Sequence, residues 1–210
     1  MDAYLEMDWS FGEYAALAAK AFRGAGYSWG LAEDAAFAAK RLAEFDLASG
    51  EIIASLLATL DGSAVADAMP DSNWQSGAGS ALCPICVGAA IVDQGGWERT
   101  DLGPVYAPLL LAPFLQQVAE DLSYLIEWSG GRCEVTNSSI AASTATSDAH
   151  DSGKSEPAMV TIVRAPRGHD LAPTKVQRVS LQPSTRATLE EFAHRIYAPA
   201  TEQSRQGAGE

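Results

Sequence analysis

From residue 10 to residue 61 apolar side chains recur at helical spacing, and alanine fills many of the contact positions. That pattern restricts this part of the chain to closely approaching helices. Ser10-Phe11-Gly12-Glu13 has the spacing of a capping box, with hydroxyl and carboxylate three residues apart. Phe11, Tyr14, Leu17, Ala18, Ala21 and Phe22 then share one face. Gly24-Ala25-Gly26 stops the helix, and Arg23 suits its negative end. A second helix is expected over about 28–46, with Leu31, Ala35, Ala38, Leu42 and Phe45 inward. Its charged residues, Glu33 and Asp34 among them, lie off that stripe. Ser49 is expected to cap a third helix that turns Ile52, Ile53, Leu56, Leu57 and Leu60 inward. The heptads are too few for a free-standing coiled coil.

After a loop-like stretch at 62–81, rich in Gly, Ser, Asp and Asn, the pattern changes. Ile85 to Val92 reads as small, apolar and extended, although the same residues also suit a helix. Val105 to Leu111 reads as a buried strand, and Pro113 as the opening of a short helix reaching Asp121. Leu122, Tyr124, Ile126 and Trp128 alternate before Ser129-Gly130-Gly131, and Cys133, Val135 and Asn137 return, which predicts a hairpin. Residues 138–158 offer little to bury and read as a mobile surface loop. Strands are expected at 160–163 and 176–181, and a final helix over about 185–196 with Ser184 as cap. The order predicts an α+β fold: a helical hairpin plus a third helix, then a mixed, partly antiparallel sheet with a C-terminal helix. We divide it into a helical segment, 1–61, and an α+β segment, 82–210, together one compact domain.

A chain of 210 residues can bury a core without disulfide or metal. Its 14 basic and 27 acidic residues give a formal charge of -13, with no basic patch, so nucleic acid is an unsuitable partner. An anionic membrane is unsuitable for the same reason. The start carries Asp2, Glu6 and Asp8 rather than a signal peptide, and no apolar run is long enough to span a bilayer. Three cysteines without an export signal are expected as reduced thiols in the cytoplasm.

Cys83-Pro84-Ile85-Cys86 has the spacing of a redox pair, of half a zinc site, or of two small core side chains. The sequence leaves these three open, and we assign no metal ligands and no cofactor. Glu33 follows Trp29 by one turn, close enough for the ring to desolvate the carboxylate. The last fifteen residues before Glu210 concentrate an aromatic ring, a proline, hydroxyls, a carboxylate, two arginines and Gly207-Ala208-Gly209. Such a strip suits either an anion site of guanidinium and backbone amides or a clamp that docks the final helix.

Three stretches together resemble a bacterial domain-of-unknown-function family (DUF family 3726). They are residues 23–34, residues 82–93 followed by 108–115, and the tail from Tyr197 to Gly209. The resemblance implies no established activity, but it ranks positions. Arg23, Trp29, Gly30 and Glu33 match the first stretch, Cys83, Pro84, Gly88 and Asp93 the second, and Tyr197, Pro199, Thr201, Glu202, Ser204 and Arg205 the third. From these we expect a site for a small, polar, carboxylate-bearing molecule. Arg23 and Arg205 would hold the anion, with Trp29, Tyr197 and Thr201 as further ligand contacts. Glu33 or Glu202 would serve as acid or base, and Cys83 or Ser204 as nucleophile. The alternative is a non-catalytic accessory subunit that self-associates or binds a partner through the alanine-rich helices. A homodimer is compatible with both.

Overall fold

The computed structural model describes residues 8–77, 81–98, 101–144, 156–166 and 175–197. A two-residue strand, β1 (Asp8–Trp9), leads into α1 (Phe11–Gly24) through the expected capping box. Ser10 Oγ accepts from the Glu13 N–H at 3.2 Å, and Glu13 Oε2 accepts from the Ser10 N–H at 2.9 Å. Tyr14, Leu17, Ala18, Ala21 and Phe22 are buried, as their spacing predicts. In α2 (Trp29–Glu44) the buried positions are mostly alanines, and Ser28 caps the start. α3 (Ser49–Leu60) begins at Ser49 but is not capped by it. The Ser49 hydroxyl is buried and pairs with the Tyr14 hydroxyl at 2.8 Å, a core contact that the cap reading missed.

The ends of α1 and α2 share one device. Gly26, in the left-handed region at φ 93°, sends its N–H to the Arg23 carbonyl, and Tyr27 reaches back to Phe22. Asp46 at φ 58° and Leu47 repeat this with Ala43 and Leu42. Both are Schellman endings, which satisfy the last carbonyls and fix the direction of the outgoing chain.

Beyond a 3₁₀ turn at Val65–Ala68, the stretch expected as extended forms α4 (Pro84–Asp93). Its flanks are almost all buried, so it shows no polar face to betray the helical period. The cue was Pro84, whose fixed φ suits a first helical position. β2 (Asp101–Val105) ends earlier than the strand expected over 105–111. Ala107 turns left-handed at φ 43°, and Pro108–Leu111 is a 3₁₀ turn running into α5 (Ala112–Gln117), shorter than expected. Gly88 lets α4 meet α5 closely, since a Cβ there would lie 2.1 Å from the Phe114 ring.

The hairpin is present as β3 (Leu122–Trp128) and β4 (Gly131–Val135), with Trp128 opposite Gly131. Within the stretch read as a loop, Ile140–Thr144 forms β5 against β4. Ile140 is buried and its neighbours are small enough to continue the sheet, a pairing that composition alone hid. Residues 145–155 of that stretch lie outside the described residues. β6 (Ala158–Pro166) is longer than expected, and β7 (Val179–Ser180) much shorter, pairing with β1 alone among the described residues. α6 (Pro183–His194) starts with Pro183 and has no side-chain cap, so Ser184 is not the expected cap.

The larger sheet has the order β2-β6-β3-β4-β5, and its ladders are antiparallel. One isolated parallel bridge, Leu82 to Val105, departs from this. The fold is α+β, with helices first, then the sheet, then a C-terminal helix. Tyr124, Ile126, Cys133, Val135, Val160 and Ile162 form the buried face of the sheet. α5 lies against β4 and β5, α2 and α4 pack on α5, and α1 joins α2 to α6. Arg41 crosses this stack: its Nε donates to Gln116 Oε1 at 2.6 Å, and Gln116 Nε2 donates to the Thr136 carbonyl at 3.0 Å. A buried polar side chain is thereby satisfied rather than orphaned.

Candidate functional site

The Schellman ending of α1 builds the corner that carries the first sequence motif. Its usual apolar contact is made by Phe22 and Tyr27, whose rings meet edge to face with centroids 5.0 Å apart. Arg23 folds back over the same turn. Its Nη1 donates to the Tyr27 carbonyl, and its guanidinium carbon lies 4.5 Å from the centre of the Trp29 ring. Trp29 is 69% exposed, so the stack sits at the surface. Beneath it, the Arg23 Nε is buried and has no hydrogen-bond partner among the described residues. Trp29 therefore covers an arginine rather than desolvating Glu33, which is exposed on α2. The burial effect falls one residue on. Asp34 is held above the usual carboxylate range by desolvation first, and then by repulsion from Asp93 and Glu33.

Tyr27 links this corner to the second motif. Its hydroxyl lies 3.2 Å from Cys83 Sγ, and both side chains are buried. Cys83 is the N-cap residue of α4, and its own N–H donates to the Ala68 carbonyl at 2.8 Å. Burial alone would raise its pKa. Hydrogen bonds from Cys86 and Tyr27, with help from the Cys86 and Ile85 amides, outweigh that and bring the thiol down to about 7. The side chain closes no full capping bond, so the amides act through proximity and field. Cys86 is pushed the other way, first by donating to Cys83 and then by burial, and remains a protonated thiol. Tyr27 is likewise raised, chiefly by burial. A cavity beside Tyr27, bounded also by Ala68 and the end of α3, holds about 10 Å³, no more than one water, and neither cysteine lines it. Among the described residues no cluster of three or more His, Cys, Asp or Glu is placed to hold a metal ion.

The final helix ends beside the same corner. A Cβ on Gly24 would lie 1.7 Å from the Phe192 carbonyl oxygen, so α1 and α6 touch backbone to backbone there. Arg195, just after α6, grips Asp61 at 2.5 Å and 3.2 Å, which ties α6 to the end of α3. Tyr197 is 60% exposed and its ring meets His194 edge to face at 6.2 Å. The structure thus joins Arg23, Trp29, Tyr27 and Cys83 in one chain of contacts, and Arg195, just after α6, lies beside Gly24. The Glu33 side chain makes no hydrogen bond or ion pair with that chain among the described residues. Thr201, Glu202, Ser204 and Arg205 lie outside the described residues.

Sequence reasoning missed a larger feature. α4 also ends in a Schellman motif, through Gly95 and Gly96, and this delivers Trp97 against Trp74. The two indoles meet edge to face with centroids 4.7 Å apart. Together with Tyr124 and Arg164 they line a cleft of about 460 Å³. The signal was present in Asp71-Ser72-Asn73-Trp74 and Gly95-Gly96-Trp97, where large aromatic residues follow turn formers instead of sitting in an apolar run.

No helix among the described residues is long and apolar enough to cross a membrane. No curated protein and no solved structure matches the chain. Residues 9–83, which run from Trp9 in β1 to Cys83, match the family model described as protein of unknown function (DUF3726), and this supports the resemblance to that family.

Proposed function

We propose that the protein binds a small carboxylate-bearing molecule at the corner between α1 and α2, with Arg23 as the anion anchor and Cys83 as the reactive thiol behind it. The observation that carries this reading is the Arg23 Nε, a buried donor with no partner under an exposed indole. A donor left unmade costs about 1–3 kcal/mol, and a carboxylate is the acceptor that fits a guanidinium edge best. Trp29, held by one cation–π contact at the surface, turns aside to admit it. Thr201, Glu202, Ser204, Arg205 and Tyr197 remain the proposed tail contacts, and Glu33 the proposed outer acid or base.

Alkylation tests this directly. Iodoacetate carries a carboxylate and iodoacetamide does not, yet both form the same S–C bond with loss of iodide. The intact protein is treated with each, and Cys83 labelling is followed by peptide mass spectrometry. We expect iodoacetate to gain on iodoacetamide by about tenfold relative to a free thiol, and the gain to vanish in Arg23→Gln. An equal ratio in both proteins refutes the anion anchor. Failure of Cys83 to react with either reagent removes the thiol from the site.

A second reading, self-association through the outer side of α2, is favoured by Trp29 and Phe37, exposed at 69% and 39% and two turns apart. Light scattering on the wild type and on Phe37→Glu separates it: a monomer in both cases ends it.

A further inference from the structure

The structure gives Cys83-Pro84-Ile85-Cys86 the setting a redox pair needs, the start of a helix. Cys83 is the N-cap of α4 and Pro84 its first helical residue, which makes Cys86 the third. Side chains at the N-cap and at the third position are neighbours, as Ser10 and Glu13 show at the start of α1. At α4 both are thiols. The Cys86 thiol donates to Cys83 Sγ, so the two sulfurs already meet. The backbone before them is held from two sides: the Leu82 N–H donates to the Pro104 carbonyl at 2.7 Å, and the Cys83 N–H to the Ala68 carbonyl at 2.8 Å. Closing to the length of a disulfide, about 2.05 Å, asks for movement of side chains that are in contact from the outset. A metal does not claim the pair, because among the described residues no cluster of three or more ligating side chains forms.

We propose that Cys83 and Cys86 form a reversible dithiol–disulfide couple, oxidised by a small hydroperoxide and reduced by a low-molecular-weight thiol. The couple uses Cys83 without resting on the Arg23 anchor. Burial selects the oxidant. Cys83 is 0% and Cys86 4% exposed, which keeps a protein disulfide or any other bulky partner from either sulfur. Beside Cys83 the cover is a single 3₁₀ turn, Val65–Ala68, with Ala66 and Asp67 exposed. Short exposed turns belong to the parts of a fold that open most easily, and a hydroperoxide as small as hydrogen peroxide is little larger than water.

The Cys83 thiolate attacks one peroxide oxygen. An S–O bond forms, the O–O bond breaks, and the departing hydroxide takes a proton to become water. Cys86 Sγ then attacks the sulfur of this sulfenic acid. An S–S bond forms, the S–O bond breaks, and the hydroxide leaves as water with the proton that Cys86 gives up. Two electrons pass from the sulfurs to the peroxide. Two molecules of a thiol such as glutathione return them through a mixed disulfide and leave as their own disulfide. The hydrogen bonds that Cys83 Sγ accepts from Cys86 and Tyr27 are strongest to a thiolate and are weakened or lost in the disulfide. They stabilise the reduced form, so the disulfide is easily reduced.

The test treats the full chain with a small excess of hydrogen peroxide, blocks the remaining thiols with N-ethylmaleimide after denaturation, and reads the peptides by mass spectrometry. We expect a loss of two hydrogens, a peptide in which Cys83 is joined to Cys86, and Cys133 still blocked by the maleimide, since burial on β4 holds it protonated. Cys86→Ala should halt at the sulfenic acid, trapped on Cys83 by dimedone. In glutathione buffers at about pH 8, Tyr27→Phe should favour the disulfide about fivefold more than the wild type, which follows from a rise of about one unit in the Cys83 pKa. Two merely structural thiols would show no such dependence. If Cys86→Ala does not fold, the wild-type peptide map and Tyr27→Phe carry the test. The proposal is overturned if both cysteines still take the maleimide after peroxide, if Cys83 is driven to sulfinic acid without joining Cys86, or if Tyr27→Phe leaves the glutathione equilibrium unchanged. Loss of the preference for iodoacetate with the Cys83–Cys86 link intact would end the ligand reading alone, and the reverse result would end this one alone.

Discussion

Tyr27→Phe isolates what holds the Cys83 thiol low. The substitution keeps the ring, and with it the edge-to-face contact to Phe22 at 5.0 Å, so packing is conserved. It deletes one hydroxyl, 3.2 Å from Cys83 Sγ. A hydrogen bond to a charged acceptor contributes about 1.5–3 kcal/mol, and sulfur is a weak acceptor, so the low end applies. At about 1.36 kcal/mol per unit, the Cys83 pKa should rise by about one unit, from about 7 toward 8. Cys86 and the helix amides still support the thiolate, which is why the full shift from the usual 9.0 is not lost. The assay is the pH dependence of iodoacetamide labelling at Cys83, read by peptide mass spectrometry between about pH 5 and 10. A midpoint that stays within about 0.3 units, or moves downward, refutes the role given to Tyr27. Stability carries the same signature. The folded thiol ionises before the unfolded one, so the contribution of Cys83 is full above pH 9 and is lost as pH falls through about 7. The wild type should gain stability between those limits in urea titrations, and Tyr27→Phe should show that gain only over the upper half of the window.

Three backbone substitutions probe the corners. Gly24→Ala forces a Cβ to within 1.7 Å of the Phe192 carbonyl oxygen, and neither helix backbone yields cheaply. We expect a loss of about 3 kcal/mol, or roughly 6–12 °C in Tm. Gly30→Ala, with nothing within 4 Å of the added carbon, should by contrast be neutral or stabilising in the same melt. Asp46→Gly relieves a left-handed residue at φ 58° and should stabilise by about 0.5 kcal/mol in urea unfolding, the relief exceeding the added freedom of the unfolded chain. A destabilised Asp46→Gly would mean that the aspartate side chain supports the turn.

The helices at 11–60 were legible because each announces itself locally. Ser10 and Glu13 close on one another, and the apolar residues of α1 fall on one face. α4 was not, because a helix buried nearly all round loses the alternation of polar and apolar sides that marks its period. β5 was missed because its stability comes from the pairing offered by β4, and Ile140-Ala141-Ala142-Ser143 has little strand character of its own. The pair formed by Tyr27 and Cys83 joins residues 56 apart in sequence, and no spacing rule links them. Trp74 and Trp97 meet only because two left-handed turns aim them, and left-handed backbone at a tryptophan cannot be read from composition.

The three helix corners at Gly26, Asp46 and Gly95 have an effect that reaches past the turns themselves. In each, main-chain amides settle the heading of the departing residue before any side chain is consulted. Aim and chemistry are therefore set by separate parts of the chain. The group delivered at position 27 or position 97 is free to be exchanged for another of similar bulk without redirecting the backbone. A scaffold wired in this way lets new reactivity be installed at its corners while the layers behind them stay as they are.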